Sequence, residues 1–247
     1  MEAALGLAES FITNSKIFGI VAEMDGKVLG SNFLMEGDAI RGVGPITVAP
    51  EAQGAGVGRA LMQAVLDRAQ GSAGVRLLQD SFNMRSIALY ASLGFEVREP
   101  VLVISGRPGA TVPAGITVRA MRAEDLDACD ALCQRVHGIS RRQELVDSMT
   151  TLTPMVGERD GRIKAYMTAP DFWIANHGVA ESAEDMAALI TGAGSVVEVV
   201  SFLLPTRQAD LFRWCLAQGM TAVKPMTLMS AGSYNEPVGT YLPSVFY

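Results

Sequence analysis

The stretch Ile46-Thr-Val-Ala-Pro-Glu-Ala-Gln53-Gly54-Ala-Gly56-Val-Gly58-Arg59 constrains this chain more than any other. A β-branched run passes through a glycine-rich turn into Val57, Leu61, Ala64, Val65 and Arg68 at helical spacing, and Gly71 stops that pattern. Such a strand–turn–helix aims a row of backbone N–H groups, and the positive end of a helix dipole, at one spot. The matching ligand is a phosphate or pyrophosphate. Glycine spacing narrows the choice. A dinucleotide turn needs G-x-G-x-x-G, and Arg59 stands where the third glycine belongs. No window gives the G-x-x-x-x-G-K-[ST] of a nucleotide loop. What remains is Gln53-x-x-Gly56-x-Gly58, or a glycine-rich turn without a ligand.

A second run follows: Asp80-Ser-Phe-Asn83-Met-Arg-Ser86-Ile-Ala-Leu89-Tyr90-Ala-Ser-Leu-Gly94-Phe95. The first pattern resembles the [RQ]-x-x-G-x-[GA] acyl-CoA loop of the GNAT N-acetyltransferase superfamily. The second resembles that family's N-x-x-[AS]-x-x-[LF]-Y-x-x-x-G-F run. Both occur in the right order, over residues 16–106. The resemblance implies an α/β fold on a mixed sheet and acetyl-CoA as co-substrate, with no metal. It implies that the backbone of Gln53, Gly54, Ala55, Gly56, Val57, Gly58 and Arg59 holds the pyrophosphate. It also implies that Ile46, Thr47 and Val48 pair with the pantetheine arm and polarise the thioester carbonyl. Asn83 and Ser86 would help to hold the cofactor, with a helix N-cap as the other reading of Asn83. Tyr90 would protonate the leaving thiolate, since a phenol keeps its proton until it is needed; a core aromatic is its other reading. Asp80, at the end of the strand 75–79, is the candidate base, against a solvated strand-end carboxylate. Glu36 and Asp38 are weaker candidates in a hairpin loop, and relay through water would need no dedicated base.

The chain has 247 residues and 49% hydrophobic content, enough for one large or two small cores. A net charge of −6 and the lack of a basic run argue against nucleic acid. Cys129, Cys133 and Cys215 are odd in number and lack framework spacing, which suits a reducing compartment. No signal-peptide pattern or long apolar run appears, so a cytoplasmic protein without membrane contact is expected.

A Pro/Gly-rich stretch at 107–115 reads as a linker between a catalytic domain at 1–106 and a second domain at 116–247. The two sides repeat faintly. Asp25-Gly26 and Asp160-Gly161 both read as hairpin turns. Gly94 precedes Pro100 as Gly219 precedes Pro225. The aligned copies place Gln208 opposite Asn83 and Cys215 opposite Tyr90. The glycine loop has no clear counterpart; Ala187-Ala-Leu-Ile-Thr-Gly-Ala-Gly194 lies nearest. The second copy is therefore expected to be a degenerate GNAT-like domain that shapes the acceptor pocket. The first copy lacks room for the usual first strand and helix, and residues 2–12 can supply only the helix before the hairpin. Its sheet edge is left for the second domain or a partner subunit to cover, which leaves a homodimer open. A start downstream of the natural one would give the same pattern.

The expected reaction is acetyl transfer to a primary amine on a small molecule, by direct attack in a ternary complex. A non-catalytic acyl-CoA sensor and a protein N-acetyltransferase are the alternatives. Cys129, Cys133 and His137 fall at i, i+4 and i+8, too far apart along a helix for one metal, and read as a core stripe. His177 lies in a loop with no visible partner. The apolar end, Tyr241 to Tyr247, reads as a tucked strand, with the terminal carboxylate a remote candidate for the base.

Overall fold

The structure, a computed structural model, describes residues 9–246. The first half runs β1 (Ile17–Met24), β2 (Lys27–Met35), β3 (Ile40–Val43), β4 (Thr47–Val48), α1 (Val57–Arg68), β5 (Gly74–Asp80), α2 (Met84–Ser92) and β6 (Glu96–Gly106). The second runs β7 (Ile116–Ala120), α3 (Leu126–His137), α4 (Arg142–Thr151), β8 (Met155–Arg159), β9 (Arg162–Met167), β10 (Gly178–Ala180), α5 (Ala183–Ala193), β11 (Val200–Pro205), α6 (Ala209–Ala217), β12 (Thr221–Gly232) and β13 (Thr240–Leu242). Of the expected helix over residues 2–12, residues 9–13 are helical and the rest lies outside the described residues.

The repeat is visible in backbone detail. Asp25 and Gly26 both have positive φ, 52° and 77°, as do Asp160 and Gly161, 52° and 69°. A two-residue hairpin turn of the primed type needs that pair of angles, and Asp-Gly supplies it with least strain. Each hairpin then slips register at the equivalent step, Ala22/Glu23 in one and Gly157/Glu158 in the other.

The halves do not keep separate sheets. The larger sheet has the order β1-β2-β3-β5-β12-β6-β11, with β4 paired to β2; the smaller is β13-β10-β9-β8-β7. The last long strand of the second half therefore lies between β5 and β6 of the first. Val101 faces Met226, Leu102 faces Pro225 and Pro100 faces Thr227. The last two pairs exchange when each residue is replaced by its counterpart in the other copy, so an internal two-fold passes beside Val101 and Met226. The ladder also skips Arg98 on one strand and Val223 on the other, again counterparts.

Helices cover the outer faces. α1 and α2 pack Met62, Val65 and Tyr90 on Leu34, Val43 and Leu77. α5 and α6 pack Met186, Leu189 and Leu211 on Phe202 and Leu204. The inner face of the large sheet carries Ile40, Leu78, Val101, Leu203, Met226 and Leu228. Each such side chain contributes about 1.5–3 kcal/mol by burial. Among the described residues β1 ends the larger sheet, and the slot that β7 fills beside β8 has no counterpart strand there.

Candidate functional site: a gap in the first sheet

β3 pairs in parallel with β5 only from Ile40↔Gly74 to Gly42↔Arg76. Pro45 follows, and it has no N–H to donate to a ladder. When the chain becomes extended again, as β4, it pairs with β2 alone, through Gly30↔Val48 and Ser31↔Thr47. The flank of β5 from Leu77 to Asp80 thus faces a wedge with no strand in it. A cleft of about 840 Å³ occupies that wedge, lined by Ile46, Val48, Leu77, Leu78, Tyr90 and Asp80 among others.

The glycine loop closes one end of the cleft. Gly54 and Gly56 take φ of 87° and 89°, and a Cβ on either would meet no atom within 4 Å. The turn therefore needs glycine for its backbone angle and leaves open space before the helix. Gly56 is the N-cap of α1, which has no side-chain cap and no acidic residue in its first turn. Its leading N–H groups and dipole remain available to an anion. Gln53, Gly54, Gly56, Gly58 and Arg59 line the cleft; Ala55 is exposed beside them, and Thr47 is exposed on β4. Arg59 donates to Ser92 Oγ at 2.6 Å, which ties α1 to α2. Gly58 sits where α1 passes Leu89 and Val48, and a Cβ there would lie 3.7 Å from each side chain.

α2 forms the second wall. Asn83 Oδ1 accepts the Ser86 N–H at 3.1 Å, so Asn83 is an N-cap and also lines the cleft with Ser86. Tyr90 is 5% exposed and packs edge-on against Phe95. Burial raises its pKa, and a hydrogen bond with Ser86 opposes the rise. It is a core aromatic and a cleft residue at once. Asp80 lines the cleft and accepts from Lys224 Nζ at 2.5 Å. Lys224 also sits over the Trp173 ring, 5.1 Å from its centre.

The second half supplies Trp173, Ile174, Lys224, Met226, Val245 and Phe246 to this cleft. Val245 and Phe246 belong to the apolar end that the sequence marks as tucked in; Trp173, Ile174, Lys224 and Met226 carry no such mark in the sequence. Trp173 lies in an aperiodic loop, and Lys224 reaches the site only because β12 crosses into the first sheet. The other carboxylates have local duties. Glu36 binds Arg41 at 2.7 Å and Arg68 at 3.0 Å. Asp38 accepts the N–H groups of Gln143 and Glu144 at 3.0 and 3.2 Å, capping α4 from across the interface.

Cys129, Cys133 and His137 lie buried on α3, as a core stripe. No group of metal-binding side chains occurs among the described residues. His177 is buried, with Arg141 Nη1 at 3.2 Å from Nδ1 and the Tyr166 hydroxyl at 3.4 Å from Nε2. Burial and the Arg141 charge hold its pKa well below the usual value. Tyr247 and its carboxylate lie outside the described residues. No described helix is long and apolar enough to cross a membrane.

Residues 14–97 match the family model of the acetyltransferase (GNAT) domain. No curated protein sequence matches the chain. Among solved structures, a putative acetyltransferase from Pyrococcus horikoshii superposes over 99% of this chain and 83% of its own, with TM-score 0.79 and 14% identity. A GCN5-related N-acetyltransferase from Sphaerobacter thermophilus covers 95% of this chain and 86% of its own, with TM-score 0.61 and 18% identity. A tandem GNAT protein from the clavulanic acid biosynthesis pathway covers 90% and 86%, with TM-score 0.52 and 13% identity. At these identities the likeness is one of fold, and it spans both halves.

Proposed function

We propose, from the match of residues 14–97 to the acetyltransferase (GNAT) domain, that the protein transfers an acetyl group from acetyl-CoA to a primary amine on a small molecule. The wedge between β4 and β5, with an uncapped helix N-terminus at its mouth, is the observation that carries this reading. An extended pantetheine arm fits where a strand is missing, and a pyrophosphate fits the backbone from Gln53 to Arg59.

The amine nitrogen attacks the thioester carbonyl carbon, the C–S bond breaks, and the electron pair leaves on sulfur. Backbone N–H groups of the 46–48 segment stabilise the oxyanion. Tyr90 gives its phenolic proton to the thiolate, and its raised pKa suits a donor that must stay protonated until the bond breaks. Asp80 accepts the proton lost by the amine, held in place by Lys224. Both substrates are bound together, so proximity supplies much of the acceleration. The second half closes the cleft and shapes the acceptor side. The three cysteines are all buried and unpaired, which supports residence in a reducing cytoplasm.

The test is acetyl-CoA turnover against a panel of amines, read as release of free CoA, with thermal stabilisation by CoA alongside. Stabilisation without turnover of any amine would turn the reading into that of a sensor. Neither effect would remove acetyl-CoA from the account.

A further inference from the structure

A second cavity of about 760 Å³ lies behind the cleft, between the two halves. Residues 10–17 and the β2–β3 loop form one side, and α4 of the second half forms the other. It shares Phe246 with the acetyl-CoA cleft. The loop before β10 is also common ground. Trp173 and Ile174 line the cleft, while their neighbours Phe172 and Ala175 line the cavity. One side chain and one loop thus border both spaces.

The walls carry apolar, charged and neutral polar side chains, the last including Ser10, Thr13 and Thr150. Phe11, Ile17, Met35, Ile40, Phe172 and Phe246 make an apolar body. Against it stand the carboxylates of Asp38, Glu144 and Asp147, with Lys16 and Arg141 as the cations. Asp147 accepts from Asn14 at 3.1 Å and Gln143 at 2.8 Å. Asp38 caps α4. Glu144 is tied to the C-terminal segment whose next residues, Val245 and Phe246, line the cleft. Its Oε1 accepts from Ser244 Oγ at 2.9 Å, two residues before Phe246, and its Oε2 pairs with Arg141. Burial outweighs the Arg141 charge and pushes its carboxyl up to about 7. A second cation beside it would offset that burial.

We propose that this cavity is the acceptor site, that it takes a primary amine on an apolar skeleton, and that Glu144 attracts the ammonium before the nitrogen passes Phe246 to lose its proton to Asp80. The inference rests on the acetyl-transfer reading and names its substrate class. A hydrophobic amine buries its body among the aromatic and aliphatic side chains and presents its nitrogen towards the thioester. A sugar amine of similar size would leave hydroxyls against Phe11 and Ile40 without partners, which is unfavourable.

The probes are phenethylamine and glucosamine, used with the full chain. With the protein saturated in CoA, so that no turnover occurs, phenethylamine is expected to bind and glucosamine to bind at least tenfold more weakly. Met35→Trp fills the apolar end and should raise the phenethylamine Kd and KM at least tenfold, while thermal stabilisation by CoA stays as in the wild type. Thr151→Trp, at an exposed rim position, repeats the test should Met35→Trp fail to fold. Glu144→Gln should weaken phenethylamine binding without altering CoA binding. Unchanged phenethylamine affinity in both tryptophan variants, or a preference for glucosamine, overturns the inference and leaves acetyl transfer standing. Loss of acetyl-CoA stabilisation in the wild type removes the acetyl-transfer reading itself, whatever the amine does.

Discussion

The two halves solve the same gap in opposite ways. In the first, the flank of β5 beyond Arg76 faces an open cleft. In the second, the corresponding place between β10 and β11 is filled by the chain itself. β13 pairs with β10 through Gly178↔Leu242, Val179↔Tyr241 and Ala180↔Thr240. Gln208, the counterpart of Asn83, clamps that strand: its Nε2 donates to Tyr241 O at 2.6 Å and its Oε1 accepts the Tyr241 N–H at 3.1 Å. The approach to the helix differs as much. Residues 44–56 separate β3 from α1, whereas only Glu181 and Ser182 separate β10 from α5. Ser182 caps α5 by accepting the Asp185 N–H, and Glu184 and Asp185 occupy its first turn. An anion would meet an N–H already capped by Ser182 and two carboxylates there. The 187–194 segment, which lies nearest to a second loop in sequence, belongs to α5 and its C-cap. The strand exchange adds a last contrast. Lys224 stands at the first cleft, and its counterpart Glu99 stands at the filled one, bound to Arg207 at 2.9 Å. One frame of sheet and helices thus holds an open cleft in one half and a filled place in the other, the difference made by one short connection and one added strand.

Five variants test that contrast. The largest effect belongs to Gly56→Glu. A side chain at φ 89° is strained, and its carboxylate would occupy the anion's place, so acetyl-CoA affinity should fall at least 100-fold by calorimetry. Wild-type affinity in the folded variant would sink the loop assignment. Next comes Tyr90→Phe, which keeps the ring and removes the proton. Turnover should fall by roughly 10²-fold with acetyl-CoA affinity intact. Cys215→Ala, at the counterpart position, should leave turnover alone and lower only stability; equal rates in wild type and Tyr90→Phe would make Tyr90 a packing residue. Gln208→Ala removes both bonds to Tyr241 and should destabilise the second half by about 1–3 kcal/mol. Hydrogen exchange at the Tyr241 amide reads it, and protection equal to wild type would refute the clamp. The smallest effect is that of Ser182→Ala, about 1 kcal/mol in thermal unfolding with no change in acetyl-CoA affinity. A change in affinity would mean that α5 takes part in binding after all.

What the sequence disclosed was local. The glycine loop, the Asn83-to-Phe95 run and the two Asp-Gly turns each place their signal within a few residues, and each stands in the structure where its spacing puts it. The helical spacing that runs from Val57 to Arg68 coincides with the observed helix, which ends before Gly71. What escaped was non-local. Nothing near Lys224 announces that it reaches Asp80, because that contact depends on β12 crossing between β5 and β6. Asp38 is a hairpin-loop carboxylate by spacing, yet it caps a helix more than a hundred residues away in the chain. His177 stands in a loop without periodicity, so its buried contacts with Arg141 and Tyr166 had no pattern to betray them.

The exchanged strand also has a history within each molecule's making. As the chain is synthesised, β5 and β6 leave the ribosome long before β12 exists to lie between them. Until residues 221–232 arrive, the nascent first half carries two strand edges with unpaired backbone groups, the kind of surface that recruits neighbouring chains. Pairings so distant in sequence close slowly. The cleft beside β5, whose inner wall includes β12, is thus completed only near the end of translation, and a chain cut short in the second half would carry a first sheet left unfinished.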